Sequence, residues 1–225
     1  MASATKIPGV FKDIAKVLPE WNPSVIFDVG ANVGQSALAY ASAFPNAKIH
    51  SFEPAPASFD ALKEATAEYP NITAHFVALG RERGSVRMIA NGMKPTNKII
   101  GDDVEDSDLV IEVKSYPGWK YVKRLGVDRI SFLKIDTEGQ DYNVLAGFFP
   151  MLSSIDFIQV EAAMNLYNKT HVQFRVLEDF LRQEGFHLFR IYDQALEFKR
   201  GGRPVLRRAN PVFINGSLLD LKNIQ

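Results

Sequence analysis

The chain has 225 residues and 26 basic residues that balance 26 acidic ones. This length suits a single domain, and a hydrophobic share of 46% with 23% charged residues supplies a core and excludes a disordered chain. The absence of cysteine excludes disulfides, thiolate metal sites and cysteine nucleophiles, and the zero net charge disfavours binding to a nucleic-acid backbone.

The first predicted element is an amphipathic helix over residues 7–18, which ends at Pro19. We expect residues 1–23 to form a helical extension packed on the edge of a main domain that spans 24–225. The N-terminus lacks the apolar run of a signal peptide, and no window approaches the about 18 apolar residues of a membrane span. The sequence therefore predicts a soluble, cytoplasmic protein that does not bind membranes. It leaves the oligomeric state open, with a dimer as one alternative.

Strands and helices alternate from residue 25 onward. Strands are predicted over 25–29, 48–52, 72–77, 84–89, 109–115, 130–135, 156–160, 186–192 and 211–214. Helices are predicted over 33–44, over 58–68 with Ser58 as the N-cap, over 142–148 and over 174–184. Residues 91–108 are polar and turn-rich and predict a mobile loop. This order predicts an α/β fold, with a mostly parallel sheet covered by helices on both faces and a late antiparallel strand that closes the sheet.

Two glycines follow the first strand, at the edge of the sheet where such folds bind ligands. Gly30 and Gly34 would let the backbone turn tightly and approach a ligand in front of a helix. The dinucleotide fingerprint G-x-G-x-x-G is not met, because Asn32 and Gln35 stand where its second and third glycines belong. The turn therefore suits a ligand without a pyrophosphate. A dinucleotide, and a turn that binds nothing, stay open as alternatives.

Carboxylates close three further strands. Glu53 ends the second strand inside Phe-Glu-Pro, where it can accept hydrogen bonds from both ribose hydroxyls of a nucleoside. Asp136 and Glu138 lie two residues apart after strand 130–135 and therefore point the same way, and Glu161 closes the next strand. Like charges held together need a cation, a metal or a hydrogen-bond donor to stay ionised. The alternatives are a solvated loop for Glu53 and a helix cap for Asp136.

These acids are candidates for a catalytic base or a metal site. Asp136 is the first choice for either role and Glu161 the second, and a hard cation such as Mg²⁺ would suit an all-oxygen site. None of the four histidines belongs to the motifs, and His171, the nearest, is expected at the surface.

In their order and spacing, the segments FDVGANVGQ, FEP, LKIDTEG and QVE resemble the FkbM family of S-adenosylmethionine-dependent methyltransferases, over about residues 24–192. The resemblance implies the class I methyltransferase fold, a Rossmann-like sheet of seven strands with an antiparallel last strand. It also implies methylation of a hydroxyl group on a sugar or small natural product. The alternatives are an NAD(P)-dependent oxidoreductase and a non-catalytic module that binds S-adenosylmethionine.

The resemblance further implies roles for single residues. The methionine end of the donor would be held by Asp28, Gly30, Asn32, Gly34 and Gln35. The ribose hydroxyls would bind Glu53, and the adenine would be lined by Phe52, Pro54, Ala78 and Leu79. The transferring methyl group and the acceptor would face Asp136, Glu138 and Glu161.

The chain departs from the family after strand 109–115. Family members usually continue there with Thr-Leu-Asp, whereas this chain reads Ser-Tyr-Pro-Gly-Trp. A role in acceptor recognition that the family gives to that aspartate therefore cannot be assigned here. Tyr116 and Trp119 are expected in the core, with stacking on a sugar face as the alternative. Residues 91–120 and 162–172 are expected to form the acceptor pocket, because specificity varies in loops.

Overall fold

Helices and strands alternate in a computed structural model that describes residues 8–93, 97–101, 105, 107, 109–197 and 205–220. The helices are α1 Gly9–Val17, α2 Gln35–Ala43, α3 Pro56–Thr66, α4 Gly118–Leu125, α5 Asp141–Phe148 and α6 Phe174–Gln183. The strands are β1 Val25–Val29, β2 Lys48–Phe52, β3 Ile72–His75, β4 Ala78–Gly80, β5 Gly84–Ile89, β6 Lys98–Ile99, β7 Val110–Pro117, β8 Ile130–Ile135, β9 Ile155–Val160, β10 Ala162–Ala163, β11 Phe186–Glu197 and β12 Val205–Asn215. Short 3-10 helices span Phe149–Ser154 and Gly216–Leu218. None of the described helices is long and apolar enough to cross a membrane.

The main sheet has the strand order β3-β2-β1-β8-β9-β12-β11. Strands β3, β2, β1, β8 and β9 pair in parallel, whereas β12 runs antiparallel to both of its neighbours. The sequence predicts that residues 211–214 close the sheet, but β12 lies inside it, because the long β11 pairs along its outer side. The implied α/β fold, with a mostly parallel sheet and a late antiparallel strand, is confirmed.

An eighth strand distinguishes the described sheet from the predicted seven-stranded one. It is β10, whose two residues pair antiparallel with Ala209 and Arg208 of β12. Glu161 separates β10 from β9, and its backbone N–H donates to the Asp141 carboxylate at 3.0 Å instead of to a neighbouring strand. β10 is therefore a continuation of β9 beyond one irregular residue.

Helices cover both faces of the main sheet. Successive side chains of a strand point to opposite faces, and β1 and β8 divide their apolar side chains accordingly. On one face α4, α5 and α6 pack against Phe27 and Leu133, and on the other α1 and α2 pack against Ile26 and Phe132. All four of these side chains are fully buried. Burial on both faces explains why these strands are continuous apolar runs in the sequence.

A second sheet of the described residues has the order β4-β7-β5-β6. The predicted strands 84–89 and 109–115 form its antiparallel β5–β7 pair. The predicted strand 72–77 ends early at His75, and the chain continues into β4 of the second sheet. β6 lies within the predicted loop 91–108, of which 94–96, 102–104, 106 and 108 lie outside the described residues. The sequence thus identifies these strands but not the sheet that they form.

One local prediction is wrong, and one helix lies where the sequence predicts no element. Ser58 does not cap a helix, because α3 already begins at Pro56 and Ser58 is buried inside it. Proline is favoured in the first turn of a helix, where its fixed φ fits and its missing N–H costs nothing. The sequence also predicts no helix where α4 begins at Gly118. Tyr116, just before α4, packs against the core as predicted. Trp119, inside α4, is half-buried.

Helix α1 packs on a face of the main sheet rather than on its edge. The Phe11 ring contacts the rings of Phe44 and Phe132, with centroid distances of 4.8 and 4.9 Å. The predicted helix over 7–18 is confirmed within the described residues, which begin at Pro8. The extension over 1–23 stays a prediction, since its first seven residues lie outside the described part of the chain.

A buried pair of histidines joins β2 to β3. His50 Nδ1 lies 3.0 Å from His75 Nε2, and the Tyr121 hydroxyl lies 3.2 Å from His75 Nδ1. The His75 ring also stacks on Phe52, with centroids 4.7 Å apart. Burial lowers the pKa of both imidazoles from 6.5 to about 4, because the charged ring loses its hydration. Both histidines are therefore neutral in the folded protein at neutral pH.

This pair predicts a loss of stability in mild acid. Between about pH 6.5 and about pH 4 the unfolded chain binds protons that the folded chain does not, so the free energy of unfolding falls as the pH falls through this window. The contribution of the pair is complete above the unfolded pKa. In the variant His75→Phe, whose ring keeps the stack on Phe52, we expect a shallower loss between pH 7 and pH 5. Urea unfolding at each pH measures it.

The exposed His187 provides the matched control. His187→Gln should keep the slope of the wild-type protein, because this side chain lies at the surface and belongs to neither buried ring. Equal slopes for the wild-type protein and His75→Phe would contradict the assignment of acid sensitivity to the buried pair.

Candidate active site

A cavity of about 150 Å³ opens at the carboxyl ends of β1, β2 and β8. Its apolar wall is formed by Val29, Phe52, Pro54, Val77, Ala78, Leu79, Met88 and Ile99. Its polar lining comprises Gly30, Asn32, Glu53, Ser58, Asn97, Lys98, Asp136, Thr137 and Glu138. The segments that the sequence assigns to one site therefore surround a common space.

The turn after β1 is held close to the strands on either side. The backbone N–H groups of Gly30 and Ala31 donate to the Phe52 carbonyl at 3.0 and 3.1 Å. Gly30 has a φ of +80°, and a Cβ at this position would overlap the Asp136 carbonyl. Only glycine adopts this backbone at so close an approach without strain. Gly34, with a φ of +93°, then leads into α2.

Glu53 is buried at the exit of β2 and faces the cavity. One carboxylate oxygen accepts the N–H of Asn32 at 2.9 Å, and the other accepts the N–H of Ala55 at 2.8 Å. Burial raises the pKa of Glu53, and the two N–H groups oppose that rise. A carboxylate has about four lone-pair positions, so two remain to accept hydrogen bonds from a ligand.

A buried lysine joins β8 to β1. Lys134 Nζ lies 3.1 Å from Asp28 Oδ1 and 3.4 Å from Asp136 Oδ2. Burial lowers the pKa of Lys134, but the two carboxylates outweigh it and raise that pKa above its ordinary value. The ammonium group therefore stays charged and fixes Asp136, whose side chain is 35% exposed at the edge of the cavity.

Beside Asp136 lies a cluster of two glutamates and a histidine. His171 Nε2 is 2.7 Å from Glu161 Oε2 and 3.6 Å from Glu138 Oε2. Arg208 of β12 pairs with the other oxygen of Glu161. Glu161 and His171 are buried, whereas Glu138 lines the cavity. The expectation that His171 lies at the surface is wrong, because the loop after β10 folds back over the strand ends.

Asn168 fixes the other side of the His171 ring. Its Oδ1 accepts the backbone N–H groups of Thr170 and His171 at 3.0 and 3.2 Å, and its Nδ2 donates to the Arg207 carbonyl at 3.1 Å. Nδ2 also lies 2.9 Å from His171 Nδ1. Asn168 Oδ1 lies 3.2 Å from the same ring nitrogen, so the Asn168 side chain holds the ring with Nε2 toward Glu161.

Asp141, the first residue of α5, connects the ends of β8 and β9. Its carboxylate accepts the Thr137 hydroxyl at 2.8 Å, the Thr137 N–H at 3.3 Å and the Glu161 N–H at 3.0 Å. Burial raises the pKa of Asp141 to about 7. The sequence gives no role to Asp141, although its place in the first turn of a helix that closely follows a glycine is a detectable signal.

The model of the methyltransferase FkbM domain matches residues 28–188, which is more than half of the chain. The chain belongs to the FkbM methyltransferase family. The match spans β1 to the start of β11 and includes every residue that forms the cavity and the glutamate–histidine cluster, except Arg208.

Curated relatives of this family member are distant. Methyltransferase 1 of Beauveria bassiana is 29% identical over 58% of the chain and 61% of the relative. The hexuronic acid methyltransferase AglP of Haloferax volcanii is 28% identical over 67% of the chain and 61% of the relative. The 31-O-demethyl-FK506 methyltransferase FkbM of Streptomyces tacrolimicus is 31% identical over 55% of the chain and 58% of the relative. The chain therefore spans about three fifths of the length of the relatives it matches.

Solved structures support the fold of the FkbM domain. An rRNA methylase from Streptococcus thermophilus superposes with a TM-score of 0.52 and 11% identity, over 96% of this chain and 98% of that one. TrmK of M. capricolum, in complex with S-adenosylhomocysteine, superposes with a TM-score of 0.50 and 10% identity, over 93% of this chain and 68% of that one. At such identities the likeness concerns the fold alone.

The structure brings most of the predicted site residues of the FkbM domain to the cavity. Those that line it are Gly30, Asn32, Phe52, Glu53, Pro54, Ala78, Leu79, Asp136 and Glu138. Asp28, Gly34, Gln35 and Glu161 do not line it. The Asp28 side chain is fully buried and pairs with Lys134 through Oδ1, whereas its Oδ2 has no hydrogen-bond partner among the described residues, so its contact with the donor stays a prediction. Glu161 lies behind Glu138 and His171, and Gly34 and Gln35 shape the turn and the start of α2.

The predicted Mg²⁺ site on Asp136 and Glu161 does not fit the structure. Asp136 is paired with the ammonium group of Lys134, and Glu161 with the guanidinium group of Arg208. Both carboxylates thus already have a cationic partner. A different set of atoms could hold a cation together. These are a carboxylate oxygen each of Glu138 and Glu161 and a ring nitrogen of His171, which all lie within 4.8 Å of one another. A cation there would compete with Arg208 for Glu161.

The close approach of Gly30 to Asp136 predicts a large effect of one methyl group. Gly30→Ala should lower the free energy of unfolding by clearly more than the about 1–2 kcal/mol that a left-handed backbone alone costs, because the new Cβ meets a backbone carbonyl. Urea unfolding measures the total loss, which combines the cost of the left-handed backbone with that of the clash.

Gly126 is the matched control for this variant. It has a φ of +66°, but a Cβ added there would meet no neighbouring atom within 4 Å, so Gly126→Ala isolates the backbone cost. Equal losses in the two variants would show that the approach of Asp136 to the turn is not tight in solution.

Proposed function

We propose that the protein is an S-adenosylmethionine-dependent O-methyltransferase that acts on a hydroxyl group of a sugar or small natural product. The observation that carries the proposal is the common cavity. The glycine turn, Glu53 and Asp136 come from three separate strand ends and line it together. Relatives named as a hexuronic acid methyltransferase and a 31-O-demethyl-FK506 methyltransferase support this class of acceptor.

The residues present fit the donor. Glu53 has spare lone pairs for the two ribose hydroxyls, and the wall of Phe52, Ala78 and Leu79 offers an apolar surface for adenine. The turn at Gly30 and Asn32 would hold the methionine end. When bound, the donor supplies a methyl group that its sulfonium charge has already activated. The protein then has to align the acceptor oxygen with that methyl group.

Asp136 is the proposed base. Its carboxylate lines the cavity and is fixed by the ion pair with Lys134. Asp136 would therefore be positioned to take the proton from the acceptor hydroxyl group. Glu138 is the second carboxylate at the cavity, 30% exposed and next to His171. A positioned carboxylate contributes about 10²–10⁴-fold to such proton transfers.

Glu161 is better described as a positioning residue than as a base. Its two oxygens are engaged by Arg208 and His171, and it does not line the cavity. Through His171, which lies 3.6 Å from Glu138, it would hold the Glu138 side chain toward the acceptor. The chain of contacts therefore runs from the cavity through Glu138 and His171 to Glu161.

Two substitutions separate binding from transfer. Glu53→Gln should weaken the binding of S-adenosylhomocysteine by about tenfold or more, because an amide nitrogen would face one of the N–H groups of Asn32 and Ala55. Asp136→Asn should leave this affinity within about twofold and lower transfer by about 10²-fold or more. Calorimetry measures the first effect, and labelled donor with a panel of sugars and hydroxylated natural products measures the second.

Glu64→Gln is the control, since this glutamate is exposed on α3. Full transfer by Asp136→Asn would contradict the role of this residue. A wild-type protein that binds S-adenosylhomocysteine but methylates no member of the panel would favour the non-catalytic module.

Substitution of His171 tests whether Glu161 positions Glu138 through this histidine. His171→Ala should lower kcat by about tenfold or more, with little change in the affinity for S-adenosylhomocysteine, because the histidine does not line the donor cavity. His171→Gln keeps an N–H group that can donate to Glu161 and should recover part of the loss. If donor affinity falls as much as kcat, or if glutamine rescues nothing, His171 does not act through Glu138 and Glu161.

A further inference from the structure

A second cavity, of about 340 Å³, lies beside the first. Leu79 and Ile99 line both cavities and form the wall between them. The lining of the second cavity is mostly polar, with side chains from the turn between β4 and β5, from β7 and from α5. None of its polar residues belongs to the proposed donor site or to the proposed base.

Two arginines dominate the charge of this second cavity. Arg81 and Arg83 lie on the turn between β4 and β5, with Glu82 between them. The Arg83 guanidinium lies over the Tyr116 ring, 5.5 Å from its centroid, which restricts its movement. Two guanidinium groups against one carboxylate leave the cavity with a net positive charge.

Neutral polar groups face the arginines from α5. Asn143 Nδ2 donates to Gln140 Oε1 at 2.8 Å, so the two side chains hold each other. This bond leaves the Gln140 amide hydrogens and the Asn143 oxygen available for further hydrogen bonds. Planar guanidinium groups bind carboxylates and phosphates through two parallel hydrogen bonds, and amides bind neighbouring hydroxyl groups. The cavity thus has the chemistry of a site for an acidic sugar.

The segment that follows β8 contributes residues to both cavities. Glu138 lines the first cavity and Gln140, two residues later, lines the second. The first cavity is lined by three carboxylates, those of Glu53, Asp136 and Glu138, against the single ammonium group of Lys98. An anionic group would therefore be disfavoured there and attracted by Arg81 and Arg83 in the second cavity. This separation of charge would orient an acceptor that carries both a hydroxyl group and an anion.

We propose that the second cavity binds an oxyanion, a carboxylate or a phosphate, on a sugar acceptor whose reacting hydroxyl group lies in the first cavity. The inference rests on the proposed function and adds the class of substrate to it. The two arginines would act as specificity residues, and they take no part in the transfer itself.

Calorimetric titration of the protein saturated with S-adenosylhomocysteine tests this site. The probes are D-glucuronate, D-glucose 6-phosphate and D-glucose, which carry a carboxylate, a phosphate and no charge. We expect at least one of the two anionic sugars to bind about tenfold or more tightly than glucose, and the tighter one identifies the oxyanion. The double variant Arg81→Ala/Arg83→Ala should lose that preference and keep its affinity for S-adenosylhomocysteine.

Lys12→Ala/Arg182→Ala is the matched control, because it removes two exposed positive charges from α1 and α6 and should keep the preference. Equal binding of all three sugars to the wild-type protein would overturn the proposal. So would an unchanged preference in the Arg81→Ala/Arg83→Ala variant. The titration with S-adenosylhomocysteine is read separately, so failure of the donor site is distinguished from failure of the oxyanion site.

Discussion

The buried ion pair between Lys134 and Asp28 is the interaction on which the arrangement of the site depends. It joins two neighbouring parallel strands just before their carboxyl ends, where the turn at Gly30 and the Asp136 carboxylate begin. Loss of one partner from such a pair costs about 3–5 kcal/mol, because the other is left as an uncompensated charge in the interior. The same ammonium group reaches Asp136. One buried cation thus contacts both the strand that leads into the turn at Gly30 and the proposed base.

Close approaches of the backbone complete the site. At Gly30 the turn after β1 meets the Asp136 carbonyl, and at Gly139 the turn after β8 meets the Thr170 carbonyl. Gly139 has a φ of +108°, and a Cβ there would overlap that carbonyl. Three loops from distant parts of the sequence are therefore pressed together without side chains between them. The result is that Glu138, between Asp136 and Gly139, lies beside the loop that carries His171.

The sequence predicts those features that depend on local patterns. Apolar strands that end in glycine or carboxylate residues identify the edge of the sheet, and Glu53 and Asp136 lie at the cavity as expected. The sequence does not predict the role of His171, because the contacts of this residue with Glu161 and Asn168 come from a loop that folds back over the strands. The sequence also does not predict the ion pair of the buried Asp28, because that pair depends on the placement of Lys134 on the adjacent strand.

The antiparallel strand β12 does more than complete the fold. Its register places Arg208 opposite Ala163 of β10, next to the Glu161 that interrupts the β9–β10 edge. Arg208 compensates one oxygen of that buried carboxylate, so the other is free to bind His171. Arg208 and His171 together hold Glu161 in the interior, whereas Glu138 lines the cavity. The late antiparallel strand that marks the fold class therefore also supplies the cation that pairs with this buried acid.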